Sequence, residues 1–331
     1  MSTTAIAILN YNGKDFLEKF LPTLIKYSNN YPIYIGNNAS TDNSAEFVSK
    51  NYPQIKFIEL GDNFGYSKGY NLLLKEIESD YIALVNSDIE VTNNWLDPLI
   101  YQLDHNPNLA AIQPKIKSFI NKANFEHAGA GGGFIDKYGY PFCRGRIINS
   151  IEKDEGQYDD SITISWASGA CFLVRHSAFK QVGGFDDDFF AHMEEIDLCW
   201  RLYNHNFDLK YTSESTVYHV GGGTLAYESP FKTYLNYRNG LYLLVKNLPK
   251  HQLAKTLYIR YLIDWLSFIY LLLQGKWNHS NAIFKAYVKF FKTKKQFIAK
   301  RNSTIGRSGF TTNYSIIWYY FIKNKKKYNQ F

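Results

Sequence analysis

Short apolar segments that alternate with amphipathic helical segments constrain the fold of this chain more than any other feature. Apolar residues recur at helical spacing over 16–25, 70–77 and 95–103, and residues 40–42 (Ser-Thr-Asp) can cap a further helix. The strand-like segments are TAIAIL (4–9), IYIG (33–36), IKFIEL (55–60), YIALVN (81–86) and LAAIQP (109–114). This alternation predicts βαβ units and a mostly parallel central sheet flanked by helices.

Polar clusters follow four of the predicted strands, over residues 10–12, 37–42, 62–65 and 86–88. Ligands bind outside the carboxyl ends of the strands in such sheets, so the clusters should share one rim. Asp88 could simply cap the next helix, but its place on this rim favours a ligand role. One carboxylate together with phosphate oxygens is an ordinary arrangement for Mg²⁺ or Mn²⁺.

A second acidic group lies in MEEIDLCWR (193–201). Acids in a first helical turn favour the helix dipole, and Asp197 with Arg201 forms an i,i+4 pair. These effects leave Glu194 and Glu195 unexplained, since they follow three further acids and two phenylalanines over 186–190. A carboxylate beside an apolar wall has a raised pKa, which suits a general base.

Two other segments carry weaker signals. In YHVGGGT (218–224) a histidine precedes three glycines; a lone histidine is usually structural, and glycine-rich loops only sometimes bind phosphate. Residues 127–165 are rich in glycine and tyrosine and predict a loop or irregular hairpin, after which order returns over 162–174.

Eight motifs, in order over about residues 4–245, resemble those of a family 2 glycosyltransferase with the GT-A fold. They are AILNYNG (7–13), NNASTDNS (37–44), NFGYSKGYN (63–71), LVNSD (84–88), SGACFLVR (168–175), GGFDDDFF (183–190), EEIDLCWR (194–201) and YHVGGG (218–223). YRNGLYLLVKNLP (237–249) resembles the segment that follows in the rhamnosyltransferase-like branch. The resemblance implies direct, inverting transfer of a sugar from a nucleoside-diphosphate donor.

The resemblance also implies roles for individual residues. Asp88 and His219 would hold a divalent cation, Mn²⁺ or Mg²⁺, and Glu195 would be the general base, with Glu194 and Asp197 as the other catalytic candidates. The implied donor-binding residues are Asn10, Tyr11, Asn12, Asn37, Ser40, Asp42, Asn63, Gly65, Lys68, Gly69, Asn71, Asn86, Ser87 and Asp88. The implied acceptor-side residues are Trp166, Ser168, Gly169 and His192.

The chain departs from the family pattern at two of these positions. Asn37 stands where the family usually has an aspartate that contacts the N3–H of uracil or thymine. Asn37 can still accept a hydrogen bond there, but without charge. Glu195 stands where aspartate is commoner, so the acceptor would sit slightly differently.

Charge divides the chain into two unlike parts. Residues 1–245 carry 20 Lys and Arg against 29 Asp and Glu, a net charge of −9, whereas residues 246–331 carry 17 against 1, a net charge of +16. The acidic part needs a cation to bind a nucleotide, and the basic part attracts an anionic surface or lipid. YLIDWLSFIYLLL (261–273) is short for a spanning helix and resembles an interfacial one; the alternative is a helical subdomain packed on the core.

These observations predict a GT-A catalytic domain over 1–230, with a nucleotide-binding half (1–115) and an acceptor half (116–230). A helical membrane-associating region over 231–331 follows. Three dispersed cysteines argue against a zinc site and fit a reducing compartment, and the N-terminus predicts a first strand rather than a signal peptide. We expect a location on the cytoplasmic, inner face of the cell membrane and no nucleic-acid partner; the oligomeric state is left open.

The expected activity is metal-dependent transfer from a dTDP- or UDP-linked sugar, with rhamnose as the best candidate. The acceptor is a saccharide or lipid-linked saccharide in cell-surface polysaccharide synthesis. The alternative is a catalytically inactive, membrane-associated homologue that binds sugar nucleotides. A nucleotidyltransferase is disfavoured, because NYNGKDF (10–16) lacks a basic, glycine-rich phosphate loop after the first strand.

Overall fold

A computed structural model describes residues 2–28, 30–221, 229–301 and 307–331. The strands are β1 (Thr4–Asn10), β2 (Ile33–Asn37), β3 (Lys56–Glu59), β4 (Tyr81–Val85), β5 (Ile89–Val91), β6 (Leu109–Ser118), β7 (Gly133–Ile135), β8 (Pro141–Cys143), β9 (Arg146–Ile147), β10 (Ser150–Ile151), β11 (Ser161–Thr163), β12 (Cys171–Arg175) and β13 (Asp208–His219). The helices are α1 (Lys14–Tyr27), α2 (Ser44–Asn51), α3 (Gly65–Lys75), α4 (Asp97–His105), α5 (His176–Gln181), α6 (Glu194–Asn204), α7 (Pro230–Asn247), α8 (Lys250–Leu273), α9 (Trp277–Ala299) and α10 (Ile316–Phe321).

The central sheet of the described chain has the strand order β11-β13-β6-β12-β4-β1-β2-β3, with β5 added on β13. Strand β1 pairs in parallel with β2 and β4, β2 pairs in parallel with β3, and β6 pairs in parallel with β13. Strand β12 lies between β4 and β6 and is antiparallel to both. The predicted α/β fold with a mostly parallel sheet is therefore confirmed. Strands β1, β2 and β4 are almost wholly buried, which explains their unbroken apolar sequences.

Strand β13 is 12 residues long and ends at His219. Its pairing with β6 shifts register between Thr212 and Thr216, and this irregularity hides the alternation along the strand. His219 is its last residue, so the strand carries that imidazole to the edge where β5 begins.

The segment predicted as a loop or irregular hairpin contains a second, antiparallel sheet in the order β10-β9-β8-β7. Its strands have two or three residues each, too short for a periodic pattern to be visible. Residues 310–331 return to this sheet, where Ile316 packs with Phe142 and Ile147.

Helices α7, α8 and α9 form the predicted helical C-terminal region. They share one hydrophobic core with the predicted catalytic domain (1–230). In this core, Phe297 of α9 contacts Phe189 and Tyr242. The C-terminal helices therefore begin at the predicted boundary near residue 230, but the described residues on its two sides pack into the same hydrophobic core.

Candidate active site

The ends of β1 and β2 are connected by hydrogen bonds among polar side chains. Asn10 donates through Nδ2 to the hydroxyls of Ser40 (3.1 Å) and Ser44 (3.0 Å), and the hydroxyl of Ser40 also accepts the N–H of Asn12 at 3.0 Å. Asp42 accepts the N–H of Lys14 at 2.7 Å, so it serves the start of α1, and these bonds help lower its pKa against the opposing effect of burial. The first two predicted clusters therefore do share one rim.

The third and fourth clusters lie on the same rim. Asn38 donates to the Asn63 side chain at 3.0 Å and accepts the N–H of Phe64 at 3.0 Å. Ser87 approaches Gly13, because a Cβ there would lie 3.1 Å from the Ser87 hydroxyl. Asn38 was absent from the predicted site, although it follows Asn37 directly at the end of β2.

Asn37 is buried and donates through Nδ2 to Glu59 at the end of β3, at 2.8 Å. Its Oδ1 accepts the N–H of Ser40 at 3.2 Å. A carboxylate thus lies beside Asn37, on the neighbouring strand. Tyr11 is exposed at the same rim, and Asn86 follows β4.

Helix α3 carries the other predicted donor-side residues. Gly65 begins the helix at φ +71°, where a Cβ would lie 2.6 Å from Phe190, so no other residue fits without displacing that side chain. Lys68 lies over the Phe64 ring at 4.1 Å, and Gly69 packs against Leu9. Asn71 instead bonds the 185–187 segment, so its contacts are structural and its donor-binding role stays a prediction.

Asp88 and His219, separated by 131 positions, meet at the end of the rim. His219 Nε2 lies 3.2 Å from Asp88 Oδ1, and both side chains are buried. On the other side of the ring, Nδ1 lies 3.4 Å from Glu126 Oε2, which also accepts the N–H of Ala128. Glu126 was not predicted, because no local pattern in the sequence connects it with His219.

The charges of this cluster are mutually compensated. Burial would lower the pKa of His219, but Asp88 and Glu126 outweigh it and raise that pKa to about 10. Burial would likewise raise the pKa of Glu126, but His219 lowers it to about 2. The imidazole is protonated in this geometry, and a metal ion at Nε2 has to displace that proton.

The donor atoms at this cluster fit a divalent cation. The Asp88 carboxylate and the His219 imidazole are ligand types that suit Mn²⁺. A metal-bound histidine usually also has a carboxylate or carbonyl hydrogen-bonded to its other ring nitrogen, and Glu126 lies at that position. Glu126 approaches the opposite nitrogen from Asp88 and so cannot bind the same ion. Within the described ranges no group of three acidic, histidine or cysteine side chains is placed to hold a metal ion.

A turn over Ser168–Ala170 connects the metal-side cluster with the acidic helix. The carbonyl of Ala170 accepts the N–H of Asn86 at 2.9 Å, and the Ser168 hydroxyl donates to the carbonyl of Ala128 at 3.2 Å. On the opposite side, a Cβ at Gly169 would lie 3.7 Å from that of Glu195. The Gly169 carbonyl accepts the Tyr66 hydroxyl at 2.7 Å. The predicted acceptor-side pair Ser168 and Gly169 therefore lies in a turn that is bonded to Asn86 and faces Glu195.

Glu194 and Glu195 open α6 without a cationic partner among the described residues. Each has one buried carboxylate oxygen, Oε2, that makes no hydrogen bond there. Burial raises the pKa of Glu195 to about 7, while the neighbouring backbone N–H groups partly offset this effect. Burial also raises the pKa of Glu194 well above its usual range, and the charge of Glu195 adds to that shift. Near neutral pH, Glu195 can therefore hold or release a proton.

Asp197, one turn further along α6, has a different environment. It accepts bonds from Arg201 (2.8 Å), Lys246 (2.7 Å) and Asn247 (2.8 Å), and it is fully buried. Burial would raise its pKa, but Lys246 and Arg201 outweigh it and lower it to about 2. Both carboxylate oxygens of Asp197 accept hydrogen bonds, two of them from Lys246 and Asn247 on α7. Asp197 therefore links α6 to α7 and is poorly suited to act as a base.

The segment before α6 has a strained backbone. Phe190, His192 and Met193 all have φ between +65° and +72°, a conformation that L-residues rarely adopt. The Asn239 side chain of α7 donates to the carbonyls of residues 189, 191 and 192 at 2.7–3.0 Å and holds the segment in place. Asn239 is thus a positioning residue that the sequence did not reveal.

The two remaining acceptor-side predictions lie in apolar surroundings. Burial and Lys232 lower the pKa of His192 to about 4, and its Nε2 finds no bond among the described residues. Trp166 is buried, packs on Gly133 and donates to the carbonyl of Phe134 at 2.8 Å, so its observed contacts are structural. Of the YHVGGG motif, Gly222 and Gly223 lie outside the described residues.

The sequence profile of glycosyl transferase family 2 matches residues 5–183, more than half of the chain. Among curated proteins, the N-acetylglucosaminyl-diphospho-decaprenol L-rhamnosyltransferase of Mycobacterium tuberculosis is 26% identical over 230 residues. That match covers 65% of this chain and 75% of the relative.

Two solved structures are similar to this chain over most of its length. The Staphylococcus aureus TarS fragment 1–349, in complex with UDP-GlcNAc, has a TM-score of 0.58 at 16% identity, over 90% of this chain and 84% of that one. GalNAc-T7, with UDP, GalNAc and Mn²⁺, has a TM-score of 0.57 at 13% identity, over 76% of this chain and 49% of that one. At such identities the likeness concerns the fold alone.

Proposed function

The chain belongs to glycosyltransferase family 2 and has the GT-A fold of a glycosyltransferase, and from that premise we propose an inverting, metal-dependent sugar transfer. The donor is a nucleoside-diphosphate sugar. The acceptor is a saccharide or a lipid-linked saccharide used in cell-surface polysaccharide synthesis.

One observation carries this proposal: the Ser168–Ala170 turn connects the segment that precedes Asp88 with Glu195. It is bonded to Asn86, two residues before Asp88, and Gly169 faces Glu195. Inverting transfer needs a leaving-group site and a base on opposite sides of the sugar, and a turn that connects the end of β4 with the start of α6 supports that arrangement. Glu195, with a pKa of about 7, has the proton affinity that a base needs near neutral pH.

We assign the following roles in the reaction to the side chains of this protein. Asp88 and His219 would hold a divalent cation, which neutralises charge on the departing diphosphate. Glu195 accepts the proton of the acceptor hydroxyl as that oxygen attacks the anomeric carbon, and the bond to the diphosphate breaks. Glu126 orients His219, while Asn239 holds the segment in front of Glu195.

The finer identity of the substrates is part of the proposal. A dTDP- or UDP-linked donor follows from the family resemblance, and rhamnose follows from the name of the mycobacterial relative. The same name describes a polyprenyl-diphosphate acceptor, which supports a lipid-linked acceptor here.

The competing candidate is an inactive homologue that only binds sugar nucleotides, motivated by Asn37. Two observations favour an enzyme: the carboxylate of Glu59 lies beside Asn37, and Glu195 has a raised pKa with no cationic partner among the residues that the structure describes.

A donor screen tests the proposal. The purified chain is incubated with dTDP-rhamnose or UDP-sugars, a polyprenyl-diphosphate saccharide, and Mn²⁺ or Mg²⁺. Release of nucleoside diphosphate is then measured. We expect acceptor-dependent release that chelation abolishes; donor binding without release from any donor would favour the inactive homologue.

A further inference from the structure

Helix α8 buries three polar side chains and exposes a row of large apolar ones. The buried side chains are Thr256, Arg260 and Asp264, spaced four residues apart on one face. The opposite face carries large apolar side chains that are exposed, with Leu266 at 67% and Leu273 at 83%. The other members of this exposed set are Tyr258, Tyr261, Leu262, Ile269 and Tyr270. A surface helix of a protein that meets only water has the reverse arrangement.

The buried polar face fixes the orientation of the helix. Arg260 donates to both carboxylate oxygens of Asp264 at 3.0 Å and to the carbonyls of Tyr138 and Gly139. Asp264 also accepts the hydroxyls of Tyr140 (2.6 Å) and Tyr287 (2.8 Å). Rotation of α8 to hide its apolar face would break the bonds that tie this pair to the 138–140 segment and to Tyr287.

Helix α9 extends the exposed apolar surface and adds charge. Tyr261 of α8 contacts Tyr287, which contacts Phe291 of α9, so the two exposed faces are continuous. Phe284, Val288 and Phe291 are exposed along α9. Each is followed directly by an exposed lysine, at positions 285, 289 and 292.

By length and composition α8 could cross a membrane, since it has 24 residues and a mean hydropathy of 1.4 over its most apolar window. Crossing would strip Arg260 and Asp264 of their partners in the 138–140 segment and α9. The helix therefore suits a position along a bilayer surface, with its apolar face immersed and its polar face on the protein.

We propose that the exposed face of α8 and α9, the docking face, binds the surface of an anionic lipid bilayer. The apolar stripe enters the headgroup boundary and the lysines meet lipid phosphates. Charge complementarity selects this occupant, because residues 246–331 carry 17 basic residues and one acid, and that acid is buried.

The docking face is joined to the acceptor side of the site. Lys300, directly after α9, bonds Asp186 and Asp188, while Asn239 of α7 holds the segment before Glu195. Docking would hold that side of the enzyme beside the bilayer, where a lipid-linked acceptor lies; this consequence alone rests on the proposed function.

Vesicle flotation of the full chain tests the docking face without any donor sugar. The probes are phosphatidylcholine vesicles with and without phosphatidylglycerol. The test variant is Leu262→Ser/Leu266→Ser/Leu273→Ser, and the matched control is Tyr101→Ser/Ile120→Ser, which removes exposed apolar side chains outside α8 and α9. We expect the wild type and the control to float with the anionic vesicles, and the test variant to lose at least most of that fraction. Lys285→Gln/Lys289→Gln/Lys292→Gln should lose the preference for phosphatidylglycerol.

Three results would overturn the proposal. They are a wild type that stays at the bottom with anionic vesicles, a test variant that floats as well as the wild type, and a lipid-free dimer that the test variant converts to monomer. The last would assign the face to a second copy of the chain. Thermal unfolding of each variant shows whether it is folded. Because flotation does not depend on transfer activity, its result tests the docking face and leaves the proposed function to the donor screen.

Discussion

Two acidic regions of the site differ in whether a cationic side chain lies beside their carboxylates. Around Asp88 and Glu126, each carboxylate faces the His219 imidazole, and opposite charges lie within 3.4 Å of one another. At the start of α6, Glu194 is buried and Glu195 is half-buried with its Oε2 enclosed, and neither has a cation beside it among the described residues. Asp197 on the same helix has two.

The difference separates two kinds of chemistry. A paired cluster keeps its charge fixed and can exchange an internal proton for a metal ion. An unpaired, buried carboxylate has its proton affinity raised towards neutrality, as general bases require. Regions that differ in this way should respond differently to loss of one charge.

The largest effect is expected at the unpaired region. Glu195→Gln keeps the size and burial of the side chain but removes the base, so kcat should fall by about 10²–10⁴-fold. Donor binding in the presence of Mn²⁺, measured by calorimetry, should stay unchanged. Glu46→Gln, an exposed acid on α2, is the control; turnover within a few fold of wild type for Glu195→Gln would remove Glu195 from the mechanism.

In the paired region, Asp88→Asn should abolish the dependence of donor binding on Mn²⁺. The variant retains shape and hydrogen bonding but loses the charged ligand, and kcat/KM should fall by about 10²-fold, since a Lewis acid contributes several kcal/mol. Calorimetry with and without Mn²⁺ measures the effect beside an Asp15→Asn control. Equal Mn²⁺ enhancement in wild type and variant would place the ion elsewhere.

A smaller loss is expected from Glu126→Gln, which leaves both proposed ligands in place. Second-layer partners of a metal-bound histidine contribute about 10–100-fold in metal affinity, so Mn²⁺ should bind that much more weakly in the presence of nucleoside diphosphate. Glu90→Gln, an acid on the neighbouring strand, should bind Mn²⁺ normally. Unchanged affinity in Glu126→Gln would make that residue a structural neighbour only.

How far the sequence predicts these regions depends on how local their determinants are. The rim was predictable, because each polar cluster follows its own apolar strand and parallel strands end on the same edge. Glu126 was not, since it reaches the site by contact with His219, 93 positions away, and such a contact leaves no periodic trace in the sequence. Asn239 was missed for the same reason, as its partners lie near residue 190.

Helix α8 shows a second limit of prediction. In the sequence, Asp264 looks like an interruption of an apolar stretch, and polar residues are ordinarily assigned to the solvent side. The structure buries Asp264 because Arg260 and two tyrosine hydroxyls satisfy it there. Those partners come from three separate segments, so only the assembled fold reveals which face is exposed.

The smallest expected effect, and the one that separates Glu195 from Glu194, is in the pH dependence. Burial raises the pKa of Glu195 from 4.5 to about 7, and the base acts only when deprotonated. With metal saturating at each pH, kcat/KM for the acceptor should therefore be flat above about 7 and fall about tenfold per unit below it. An ordinary carboxylate would give a flat profile down to about pH 5. Glu194→Gln should keep the inflection, because burial is the main cause of the shift at Glu195; an inflection that disappears in Glu194→Gln would assign the base to Glu194.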